Sequence, residues 1–127
     1  MSSPSKYWME QAHYDLDTAR AMLNARKYLY VLFCCQQAVE KALKAIIVKR
    51  MSDFPPRLHN LLRLAEIAGV KMEPDREVFL GELSGYYIQT RYPEEIHSLA
   101  RTLGHAISQD TLHKTGEVIE WLFSMLK

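Results

Sequence analysis

The sequence predicts an all-α fold, an up-and-down helical bundle with one short crossing helix. Three observations carry this. Apolar residues recur at helical spacing through four long segments. The five prolines fall at the starts of those segments or between them. No segment shows the apolar–polar alternation of a half-buried strand.

The elements follow in order. Pro4 and Ser5 open the first helix, since proline suits a first turn. Trp8, Ala12, Leu16, Ala19 and Leu23 form its apolar face, and it should run to about Arg26. Lys27-Tyr28 reads as a tight break. The second helix covers about Tyr28 to Arg50, with Leu32, Cys35, Val39, Ala42 and Ile46 as its stripe. Val31, Ala38, Leu43 and Ile47 widen that stripe, as expected for a central helix packed on two sides. Pro55-Pro56 closes this stretch. Asn60 caps a short third helix, Leu61 to Ala68, whose inner face is Leu61, Leu64, Ala65 and Ala68, with Gly69 just past its end. Pro74 starts a fourth helix to about Thr90, with Val78, Phe79, Leu83, Tyr86 and Tyr87 as its stripe. Pro93 breaks it. Glu94-Glu95 begins a further short helix that turns Ile96, Leu99 and Leu103 to one side and ends at Gly104. Ser108 caps a last helix, about Gln109 to Leu126, with Leu112, Ile119, Leu122 and Leu126 inward and Gly116 allowing close approach.

At 127 residues and 48% hydrophobic, the chain is long enough for one domain, 1–127, with a single core. A net charge of +1 excludes a polycation that coats nucleic acid indiscriminately, so any such contact must be local. No apolar run is long enough to span a membrane, and no apolar stretch follows a basic start, so neither a membrane span nor a secretory signal is expected. Cys34 and Cys35 are neighbours, which on a helix point about 100° apart. They suit buried small residues better than a disulfide or a metal motif, and the setting they imply is reducing and cytoplasmic.

Gln36, Gln37, Glu40, Lys41 and Lys44 are the polar remainder of the second helix. Glu40 precedes Lys44 by four, the favourable order for an ion pair. Gln37, Lys41 and Lys44 fall on nearly one side and read either as a solvated face or as phosphate ligands. From Lys41 to Arg63 six cations, Lys41, Lys44, Lys49, Arg50, Arg57 and Arg63, meet the single acid Asp53, a local excess that attracts phosphate. Asp15 lies near the apolar face of the first helix and needs a cation if buried, with Lys44 as the expected partner. His59 sits at the cap of the third helix, in a structural role. His13, His105 and His113 lack partners at metal-ligand spacing, so no metal site and no cofactor is expected. Tyr86, Tyr87 and Tyr92 near Arg91 are suited to core packing or to stacking a base.

Gln36-Gln37-Ala38-Val39-Glu40-Lys41-Ala42-Leu43-Lys44-Ala45, His59-Asn60-Leu61 and Arg91-Tyr92-Pro93, in this order and separation, resemble the HEPN family of small helical proteins. The resemblance spans about Trp8 to Leu122. It implies a bundle of four or five helices, like the substrate-binding subunits of nucleotidyltransferases, that usually pairs as a two-fold homodimer. It also implies a link to nucleotides or RNA and association with a small nucleotidyltransferase, in some cases as toxin with antitoxin. Active members of the wider family cleave RNA without metal, using an arginine followed a short interval later by a histidine. Here five residues separate Arg91 from His97, which meets that spacing. Arginine presents a fork of donors to a phosphate, and histidine moves a proton near neutral pH. The chain departs from the pattern where Tyr92 replaces the usual small polar residue and Pro93 interrupts the segment. The resemblance thus leaves three functions open: a nucleotide- or RNA-binding partner of a nucleotidyltransferase, with Gln37, Lys41, Lys44, Arg91 and Tyr92 as ligands; an endoribonuclease using Arg91 and His97; or a structural interaction module.

Overall fold

Pro4 opens α1 (Pro4–Asn24), and Ser3 caps it by accepting from the amide of Lys6 at 3.3 Å. The computed structural model describes residues 3–89, 94 and 102–126, and five helices lie within them. Helix α1 ends where Arg26 takes a left-handed φ of 61° and the amide of Lys27 reaches back to the carbonyl of Met22 at 2.8 Å. That closure satisfies the last carbonyls and reverses the chain. α2 (Tyr28–Met51) follows at once and lies along α1 in the largest interface among the described residues.

Helix α2 is buried on two sides, as its wide stripe predicts. Val31, Leu32, Cys35, Ala38, Val39, Ala42, Leu43 and Ile46 are all fully buried. The helix meets each of the other four: α1, α3 (Leu61–Ile67), α4 (Pro74–Gln89) and α5 (His105–Ser124). α1 and α5 touch each other, as do α3 and α4, so the molecule has two flanks sharing α2 as their wall. Among the described residues there is no strand, and no helix is long and apolar enough to cross a membrane.

The short crossing helix α3 is held at both ends. Asn60 Oδ1 accepts from the amide of Arg63 at 3.0 Å, and the amide of Leu61 donates to Ser84 Oγ of α4 at 3.1 Å. At the other end Gly69 adopts φ 71°, a conformation that costs glycine little. The Arg50 guanidinium reaches across from α2 to the carbonyl of Ala68 at 2.8 Å. Arg50, counted in the sequence as part of a phosphate-attracting run, is therefore a brace between α2 and α3.

Three expectations are corrected. α5 begins at His105 behind Gly104, not after Ser108; Ser108 is buried in its second turn with its hydroxyl unpartnered. Gly104 therefore precedes α5 at its N-cap. Val78, placed on the inner stripe of α4, is 61% exposed, and Leu80 takes the buried position beside Leu83. A Cβ at Gly116 would meet nothing within 4 Å, so no close helix approach depends on it. The short helix expected after Glu94, the ends at Thr90 and Pro93, and the side chain of Tyr87 lie outside the described residues.

Both cysteines are free thiols. Burial pushes the Cys35 thiol up to about 12, which makes it a packing group and not a nucleophile. Cys34 is also raised, first by burial and then by the nearby Asp15 carboxylate.

Candidate functional site: a charged ladder between two helices

Steps of three and four along α2 put Gln36, Gln37, Glu40, Lys41 and Lys44 on one stripe. From sequence Gln37, Lys41 and Lys44 read either as a solvated face or as phosphate ligands; in the structure α1 and His59 of the loop before α3 lie against the stripe. Gln36 is fully buried, Glu40 is 2% exposed and Lys44 is 6% exposed. Burying two charges is strongly unfavourable unless they are paired and their remaining hydrogen-bonding capacity is met. The two charges are paired with each other, and both carboxylate oxygens of Glu40 have partners. Glu40 Oε2 accepts from Lys44 Nζ at 3.1 Å, while Oε1 accepts from Gln36 Nε2 at 3.2 Å and lies 2.9 Å from His59 Nδ1. A carboxylate only accepts, so the proton of this last contact sits on Nδ1. Lys44 Nζ also stands 5.7 Å from the centre of the Trp8 ring, within cation–π range.

Gln36 does a second task. Its Nε2 also donates to the carbonyl of His59 at 3.1 Å. The loop ahead of α3 is thereby tied to α2 through both the backbone and the imidazole of His59.

The outer half of the ladder is more open. Lys41 Nζ lies 3.2 Å from Asp15 Oδ2, and each side chain is 21% exposed. Lys41 also donates to Gln37 Oε1 at 3.3 Å, and Gln37 Nε2 donates to Gln36 Oε1 at 2.7 Å. The two amides join the outer pair to the inner one, giving a continuous chain from Asp15 to His59. Asp15 is indeed paired, but with Lys41 and not Lys44. One turn of α2 separates those lysines, and the inner one is already taken by Glu40.

The ion pairs redistribute the basic run. Lys41 is neutralised by Asp15, Lys44 by Glu40, and Arg63 faces Glu66 at 3.2 Å on the surface of α3. Lys49 and Arg57 are exposed and make no ion pair among the described residues. The solvent-facing positive excess is thus smaller than the sequence suggests.

Of the other candidates, Arg91, Tyr92 and His97 lie outside the described residues. His113 has a carboxylate after all, Glu117 at 3.1 Å on the exposed face of α5. The His105 ring packs edge-on against Tyr28, and His13 lies against Phe123. Among the described residues no group of three histidine, cysteine, aspartate or glutamate side chains is placed to hold a metal ion. Sequence reasoning did not assign a site role to Gln36 or Trp8. The i,i+4 spacing of Gln36 and Glu40 was the signal for the first; Trp8 gave none beyond its place on the α1 stripe.

A family model described as the HEPN domain matches residues 5–125. The crystal structure of TT1696 from Thermus thermophilus is similar in fold, with a TM-score of 0.81 and 24% sequence identity over 97% of this chain and 98% of that one. No curated protein matches the sequence.

Proposed function

This chain belongs to the HEPN domain family, and from that premise we propose that it is a nucleotide- or RNA-binding helical homodimer serving a small cytoplasmic nucleotidyltransferase as its accessory partner, in a toxin–antitoxin pair. The family match over nearly the whole chain is the observation that carries this reading. The outer ladder supports it physically. Lys41 and Gln37 are partly open to solvent, held in place by Asp15, and chemically suited to a phosphate. An incoming phosphate would compete with Asp15 for the Lys41 ammonium, while Lys44 stays committed to Glu40 as background charge. Arg91 and Tyr92 are the further ligands in this reading, one for phosphate and one for a base.

The reading is tested by titrating nucleotide and single-stranded RNA at several salt concentrations. Lys41→Ala should weaken RNA binding about tenfold at low salt and flatten the log–log salt dependence by about one unit. An unchanged slope would remove Lys41 from the phosphate site. No binding by the parent protein at low salt would leave only a structural module. Co-expression with the nucleotidyltransferase of an adjacent reading frame, followed by co-purification, tests the partner.

A second reading is favoured by one observation, the five-residue interval between Arg91 and His97. In it the protein is a metal-independent endoribonuclease, with Arg91 stabilising phosphate charge and His97 transferring the proton. Expression alone should then arrest growth and degrade RNA, and Arg91→Ala and His97→Ala should each relieve both effects. Normal growth with intact RNA on expression of the parent protein would count decisively against cleavage.

A further inference from the structure

The start of α1 and the end of α2 enclose a groove of about 750 Å³, separate from the ladder's outer pair. Tyr7, Trp8, Val48, Lys49, Asp53 and Phe54 are among the residues that line it. Its volume lies within the range of small-molecule sites, which pair a mostly apolar lining with a few polar groups. Three of the lining side chains are aromatic, and two of them stand open: Tyr7 is 53% exposed and Phe54 is 91% exposed. Tyr7 and Trp8 meet edge to face at 5.6 Å, so two ring planes at nearly a right angle form one wall.

The polar groups narrow the ligand class. Lys49 is exposed and unpaired among the described residues, so it offers an uncommitted positive charge. The Asp53 carboxylate accepts from the amide of Phe54 through Oδ1 at 2.7 Å, which leaves Oδ2 to accept from a ligand. An acyl chain would gain nothing from either group and would desolvate both. A small inorganic anion would leave the aromatic walls uncovered. A planar heterocycle bearing ring or amino N–H donors and a phosphate uses all three features at once.

We propose that this groove binds a nucleoside monophosphate, its base stacked among Tyr7, Trp8 and Phe54 with an N–H on Asp53, and its phosphate on Lys49. The proposal rests on the nucleotide-binding reading above and adds to the ladder's phosphate contact a second site, for a mononucleotide, in the groove. It also gives Trp8 two neighbours: the ligand in the groove and the Lys44 ammonium 5.7 Å from its ring.

The experiment is a fluorescence titration of the full chain carrying Trp121→Phe, which leaves Trp8 as the single indole. AMP and GMP should quench Trp8 saturably. Phe54→Ala and Lys49→Gln should each weaken binding at least tenfold, and both replace exposed side chains, so the fold is kept. Lys114→Gln, at an exposed lysine of α5 away from the groove, should leave mononucleotide binding unchanged. Saturable binding that survives both groove variants but is lost in Lys41→Ala would overturn the groove and keep the nucleotide reading. No response to any mononucleotide would also overturn it; RNA binding by the same protein, measured by filter retention, then decides the broader reading on its own.

Discussion

Glu40→Ala is expected to destabilise the fold by about 3–5 kcal/mol, because it leaves the Lys44 ammonium buried without its counter-charge. Gln36 and His59 would lose an acceptor in the same step. A loss of that size is a large share of the roughly 5–15 kcal/mol that holds a typical domain together. The same principle predicts the rescue. Glu40→Leu combined with Lys44→Met removes both charges, fills a similar volume, and should recover most of the loss. Urea unfolding followed by circular dichroism measures both, with the midpoint moving at constant slope. If Glu40→Ala shifts stability by less than about 1 kcal/mol, the inner pair is not the closed, desolvated unit described above.

Leu43→Ala should cost about 2–5 kcal/mol, since Leu43 is fully buried in the central helix and its neighbours on both flanks cannot all move in to fill the space. Val78→Ala on α4 is the internal comparison. The sequence pattern treats Val78 as a core residue, but it is 61% exposed, so its truncation should change stability by no more than about 0.5 kcal/mol. Parallel thermal or urea melts of the two variants check this. Equal losses would mean that α4 packs through a different face.

The helix boundaries were legible where a single residue carries a local mechanism. Pro4 and Pro74 start helices, Asn60 caps one with its own side chain, and Gly69 closes it at φ 71°. The start of α5 was misread because Ser108 has a capping side chain and Gly104 has none; the serine hydroxyl is instead buried within the helix. The ladder was half legible. Glu40 and Lys44 are four residues apart, and that pairing needs only the helix itself. That α1 and His59 meet the same stripe is a property of packing between segments distant in sequence. So is the choice of Lys41 over Lys44 by Asp15, a contact across 26 residues that depends on how far one helix slides along the other. The basic run from Lys41 to Arg63 was visible as composition, but how much of its charge is already neutralised depends on acids outside that run, Asp15 and Glu66, and on Glu40 just before it.

Since α1 with α5 and α3 with α4 each lean on α2, the two flanks are joined through that one rod. The Gln36–Glu40–His59 cluster is the rivet on the α3 side, and the Lys44–Trp8 stack is its counterpart on the α1 side. A single carboxylate, Glu40, grips both. A perturbation at the mouth of α1 therefore has a short mechanical route to the crossing helix, through an indole, an ammonium, a carboxylate and an imidazole in sequence.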